Sequence, residues 1–185
     1  MRQHLLRSGL WAVLALGVAG TAGAQAPAAP GGAQVKALDR ADRDFLEHAA
    51  QSGHAEIAGS RLALEKSANA EVKAFAQKMI DDHTRVGQQL DTLAQGKGYT
   101  APTEPSLVQK AKLKALGLRK DGFDKAYADE IGVSAHEDAV ELFEKASANA
   151  HDTDVRQFAA GTLPHLKEHL EQAKALRQSV DSARR

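Results

Sequence analysis

The sequence predicts an all-α protein: four long helices folded back as two antiparallel hairpins, with a long crossover between the hairpins. Three observations predict it. Met79, His83, Val86 and Leu90 recur at spacings of four, three and four, the period of a helix with one buried face. Alanine is abundant and aromatic residues make up only 4% of the 185-residue chain, a composition suited to closely packed helices. A helix–corner–helix segment also occurs twice, "EKSANAEVKAFA" (65–76) returning as "EKASANAHDTDVRQFA" (144–159). Val72 and Phe75 thereby correspond to Val155 and Phe158, and Leu93 to Leu176, as in a duplicated αα-hairpin.

In chain order, residues 1–24 read as a secretory signal peptide. Arg2 and Arg7 form a positive start, an apolar run extends from about Gly9 to Ala19, and Ala22-Gly23-Ala24 or Ala24-Gln25-Ala26 follows as the cleavage signal. The run is too short for a membrane-spanning helix. Residues 25–38, rich in Ala, Pro and Gly, read as a disordered tether. The first long helix starts at the N-cap Asp39 and reaches about Ala68. The second runs from Asn69 to Ala94 and stops at "GKG" (96–98), with Gly96 as its C-cap. The third starts at Asp121, with Asp124 three residues on as a near capping box, and ends near Ala148. The fourth starts at Asp152 and fades near Gln178, so the domain spans 39–179 and residues 180–185 form a frayed tail.

Tight corners make each hairpin antiparallel. The link between hairpins, from Gly96 to Lys120, holds Pro102, Pro105 and a short basic helix (106–117) capped by Ser106. It is far longer than the ~2–8 residues of an ordinary bundle loop. It can travel a helix of about 36 Å and start the third helix parallel to the second. Two hairpins with one long crossover is the ferritin-like four-helix bundle.

Each long helix carries a polar, ligand-capable residue near its midpoint. The first places Glu56 on the apolar stripe of Phe45, Ala49, Ser52 and Ala63; the second places His83, flanked by Asp82; the third places His136 with Gly132, Ala139 and Phe143. The fourth carries His165 and His169, an i,i+4 pair around Leu166. In a bundle of equal helices the midpoints share one level, so Glu56, His83, His136 and one or both of His165 and His169 converge. Imidazole and carboxylate together suit Zn, Fe, Cu or Ni. The same set also fits a polar layer that satisfies itself and fixes helix register. His48, His54 and His151 read as surface residues, and Pro164 predicts a bend beside His165.

The sequence excludes other chemistries. There is no cysteine, which removes disulfides, thiolate sites and a lipidated N-terminal Cys. Without Arg2 and Arg7 the chain has 22 basic against 24 acidic residues, no electrostatic basis for nucleic acid or an anionic membrane. Ile80, Val133, Thr162 and Leu166 stand three residues before the four candidate histidines. Glu-x-x-His is therefore missing, and with it the di-iron signature. Met79 is the one methionine beyond Met1, which argues against a Met-rich copper site. Glu168 in "HLKEH" sits in the wrong place for a zincin base, and no phosphate loop or nucleophile elbow occurs. No catalytic residue is assigned.

Four segments, "DRDFLEHAAQSGHAEIAGSRLALEKS", "VKAFAQKMIDDHTRVGQQL", "FDKAYADEIGVSAHEDAVELFEKA" and "LPHLKEHLEQAKAL", resemble an exported bacterial family, domain of unknown function 4142. The resemblance covers roughly Ala41 to Leu176. It implies a four-helix bundle in the periplasm or outside the cell and supplies no activity. Two functions follow as expectations: metal binding in envelope stress or metal handling, or a non-catalytic envelope protein whose polar layer only fixes packing.

Overall fold

A computed structural model describes residues 37–183. The expected export signal and most of the tether lie outside the described residues. All regular structure among those residues is helical: α1 (Arg40–Lys66), α2 (Ala70–Gly96), α3 (Leu107–Gly117), α4 (Phe123–Tyr127), a π-helical turn (Ala128–Ser134), α5 (Ala135–Asn149) and α6 (Thr153–Ser182). No helix among them is long and apolar enough to cross a membrane.

Helix starts follow their caps. Asp39 accepts from the Asp42 N–H at 2.8 Å, Asn69 from Glu71 and Val72, and Asp152 from Asp154 and Val155, each satisfying donors that the helix leaves unpaired. Ser106 and Gln109 form a full capping box on α3. Two expected boundaries are corrected. Gly96 is still helical; Lys97 is the C-cap, and the turn is made at Gly98, whose φ of 69° suits glycine. The third rod starts after Gly122, at φ 68°, with no side-chain cap, so neither Asp121 nor Asp124 forms a capping box.

The third rod also departs from a plain helix. It is assembled from α4, the π turn and α5; a π turn carries one more residue than an α turn and shifts every later side chain around the axis. The fourth rod passes through Pro164 as one helix and continues to Ser182, beyond the expected end at Gln178, because Val180 is buried. At the other end Leu38 is buried as well, so the packed chain starts inside the segment read as tether.

Contacts fix the rod directions. Phe45 packs edge-on against Phe143 at 5.0 Å and Ser60 bonds Tyr127 at 2.9 Å, so numbers rise along α1 as they fall along the third rod. Lys97 meets Asp152 at 2.8 Å while Ser179 donates to Glu71, so α2 and α6 are antiparallel too. With α1 and α2 joined by three residues, α2 and the third rod run the same way. Asp42, buried on α1, accepts the backbone N–H groups of His151 (3.1 Å) and Asp152 (2.7 Å) and ties the start of α1 to the α5–α6 corner.

The interior is two apolar clusters. One gathers Phe45, Leu46, Leu90, Phe143, Val155 and Leu166; the other gathers Val72, Phe75, Met79, Tyr127, Ile131 and Leu176. Along α2 and α6 the buried histidines fall between the residues that each helix gives to the two clusters.

Candidate metal centre

Four polar residues of that middle layer meet. Glu56 on α1, His83 on α2, His136 on α5 and His169 on α6 are all at least 96% buried. The three imidazole rings form a nearly equilateral triangle, with centroids 5.4, 5.4 and 5.5 Å apart. One nitrogen from each ring lies within 4.8 Å of the other two.

Each ring is held by a hydrogen bond on one nitrogen. His83 Nδ1 donates to Glu56 Oε2 at 2.9 Å. His136 Nδ1 donates to the Ile131 carbonyl at 3.2 Å. His169 Nε2 donates to Asp82 Oδ2 at 3.0 Å. Asp82 is itself fixed by Lys78 and Arg85, each at 2.7 Å. The partners assign the tautomers: His83 Nε2, His136 Nε2 and His169 Nδ1 are left with lone pairs. His83 Nε2 and His136 Nε2 face each other at 3.4 Å, and with both rings neutral two lone pairs meet there. A positive charge shared by both, a proton or a metal ion, removes that repulsion. His169 Nδ1 and Glu56 Oε1 are buried without a hydrogen-bond partner, which is costly for polar atoms unless something else meets them.

The electrostatics agree. Burial pushes Glu56 up, but His83 and His136 more than offset it and hold the group below its usual value as a carboxylate. Burial pushes His83 down, and the charge and hydrogen bond of Glu56 outweigh it, so His83 is raised. His136 is lowered, chiefly by burial. His169 is lowered to about 4 by burial and by His83, against the Asp82 hydrogen bond. Asp82 sits well below its ordinary value: its partial burial is outweighed by hydrogen bonds from Lys78, Arg85 and His169. The layer therefore favours one added positive charge over several.

His165, a candidate from its i,i+4 spacing to His169, is exposed and stands outside the triangle. Four residues advance a helix by slightly more than a turn, and Thr162, Leu166 and His169 hold the core positions of α6. His165 instead lines a surface cleft of about 270 Å³ with Asp82 and His169. His54, read as a surface residue, is half-buried and lines a second groove, between α1 and α2, that also reaches Glu56 and His83. Ser52 and Val86, expected on the inward stripes, are likewise only half-buried.

Sequence reading missed the Ile131 carbonyl and the π turn that presents it. Ala135 N–H bonds Glu130, five residues back, and His136 Nδ1 takes Ile131, also five back. A signal was available: the buried stripe of this rod steps by four from Phe123 to Tyr127 and to Ile131, then by five to His136.

Comparisons with known proteins bear on the fold and the family. No curated protein matches the chain. A structure described as a DUF305 fragment from Deinococcus radiodurans superposes with a TM-score of 0.68 at 13% identity, covering 78% of this chain and 99% of that one. CopM in its Cu(II)-bound form superposes with a TM-score of 0.63 at 19% identity, covering 75% and 96%. CopM in an Ag-bound form gives 0.61 at 20%, covering 75% and 95%. At these identities the likeness is one of fold. The family model "Domain of unknown function (DUF4142)" matches residues 27–176, and the chain belongs to that family.

Proposed function

We propose that this DUF4142 protein binds one transition-metal ion per chain through His83 Nε2, His136 Nε2 and His169 Nδ1, and that it serves metal handling in the bacterial envelope as an exported ferritin-like four-helix bundle. The observation that carries the reading is the triangle of three buried imidazoles, each with a nitrogen within 4.8 Å of the other two and each held by a hydrogen bond on one nitrogen. Outward anchoring to a carboxylate or carbonyl is the usual support of metal-bound histidine, because it fixes ring orientation and raises ligand basicity.

The donor set fits the group. Three imidazoles beside a carboxylate, without sulfur, favour borderline divalent ions: Cu(II), Zn, Ni or Fe(II). A similarly folded protein has been solved with Cu(II), so Cu(II) is the ion to test first. When bound, the metal supplies a localised positive charge and Lewis acidity. The chain's own part is to hold the rings: Glu56 orients His83, the π turn orients His136 through Ile131, and the Lys78–Asp82–Arg85 group orients His169. The reading of residues 1–24 as a signal peptide supports an exported location, and the long crossover with parallel α2 and third rod supports the ferritin-like arrangement.

The Glu56–His83 pair is self-satisfying at 2.9 Å, and this favours the second reading, a polar layer that only fixes packing. Elemental analysis and Cu(II) and Zn titration of the mature, tag-free protein separate the two. Metal handling predicts one ion per chain, lost in His136→Ala. No bound ion, or binding indifferent to His136→Ala, overturns it in favour of packing.

A further inference from the structure

A groove of about 420 Å³ opens between α1 and α2 and ends on Glu56 and His83. Two glycines sit in its walls, Gly53 on α1 and Gly87 on α2. Glycine weakens a helix interior, so each needs a reason. Backbone conformation gives none, since positive φ is confined to Gly98 and Gly122 among the described glycines. Packing gives none either: a Cβ added at Gly53 or Gly87 meets nothing within 4 Å. Gly53 precedes Glu56 by three residues and Gly87 follows His83 by four, about one turn in each case. What the two glycines do is leave the space over the Glu56–His83 pair open.

Buried Ala49, Leu90, Phe143 and Leu166 line the groove, together with the more exposed His54, Arg61 and Asp91. Among the lining residues Glu56 has an unmet demand: its Oε1 is buried without a hydrogen-bond donor. A ligand carboxylate would set a second negative charge against that of Glu56 among buried apolar residues, so the matching group is an O–H or N–H donor. The volume lies in the range of small-molecule sites.

We propose that the α1–α2 groove is a binding site for a small neutral organic molecule, about one ring in size, whose single O–H or N–H donor is accepted by Glu56. The site does not depend on the metal. Phenol is the probe and benzoate its charged counterpart, each titrated into the metal-free mature protein and followed by NMR shifts and thermal unfolding. Phenol binds saturably and raises the unfolding temperature; benzoate does neither. Gly53→Leu and Gly87→Leu, on different helices, fill the groove and weaken phenol at least about tenfold, with helix content by circular dichroism unchanged in at least one of them. No phenol binding, equal binding to a folded Leu variant, or equal binding of benzoate overturns the proposal. Metal stoichiometry is measured separately, so neither result is confused with failure of the metal site.

Discussion

The two hairpins are built alike and equipped differently. At the corners the match is close: Asn69 caps α2 through the N–H groups two and three residues on, and Asp152 caps α6 the same way. From there α2 and α6 keep the same burial rhythm at a constant offset. Val72 and Val155, then Ala76 and Ala159, are fully buried pairs. Three residues further the chemistry parts: Met79 faces Thr162 in the alignment, His83 faces Leu166, and Val86 faces His169. The first half contributes one histidine to the triangle and the second two, and His83 and His169 stand at non-equivalent positions. α1 is one unbroken helix, whereas its counterpart needs a π turn to aim His136. The duplicated hairpin supplies rods, caps and apolar contacts. The histidine positions do not follow the repeat, and so the cluster has no internal symmetry.

The largest expected effect comes from making α2 like α6. His83→Leu removes the partner of a buried carboxylate and costs about 3–5 kcal/mol in urea unfolding, because Glu56 is left uncompensated. Adding Glu56→Met recovers most of that loss, since apolar replacement of a whole buried pair is often neutral or stabilising. Equal stability of the single variant and the wild type would mean that the pair contributes nothing to the fold.

Proton linkage differs in sign between the histidines. His136 and His169 are held neutral in the fold, so their contribution is complete above 6.5 and is lost as the pH falls toward about 4, the value for His169. His83 is raised, so its contribution is complete below 6.5 and is lost as the pH rises through its folded value. The urea midpoint of metal-free protein should therefore fall between pH 6.5 and 4. His169→Leu flattens that acid limb; an unchanged limb in this variant contradicts the assignment.

The caps provide the next test. Asn69→Ala and Asp152→Ala should each cost about 1 kcal/mol. Asp152 costs more, because its carboxylate also meets Lys97 at 2.8 Å. Smaller still are the glycines. Gly53 and Gly132 stand at matching distances before their corners, yet an added Cβ meets nothing at Gly53 and comes within 3.1 Å of Ala173 Cβ at Gly132. Gly53→Ala should stabilise by about 0.5–1 kcal/mol, and Gly132→Ala should destabilise. The same sign for both in thermal unfolding would remove the distinction.

Local signals were legible in the sequence and non-local ones were not. Asp39, Asn69, Ser106 and Asp152 announce their helices because a cap acts on the next three residues. Glu56, His83, His136 and His169 were found because a polar residue on an apolar stripe stands out. His165 was not separable from His169 by spacing; only the core role of Thr162 and Leu166 tells which side of α6 faces inward. Nothing in the sequence sets Asp42 apart from any acidic residue of a first helical turn, and its work on the His151 and Asp152 amides depends on a corner more than a hundred residues away. The π turn left a single five-residue step in the stripe, easily absorbed into helical scatter.

Cu(II) titration of His165→Ala and His169→Ala, side by side, tests the central claim most directly. The two residues lie one turn apart on α6, one exposed and one buried in the triangle. A buried three-histidine centre predicts one tight ion per chain in His165→Ala, as in the wild type, and its loss in His169→Ala. Loss in His165→Ala with retention in His169→Ala would place binding on the surface and contradict the account.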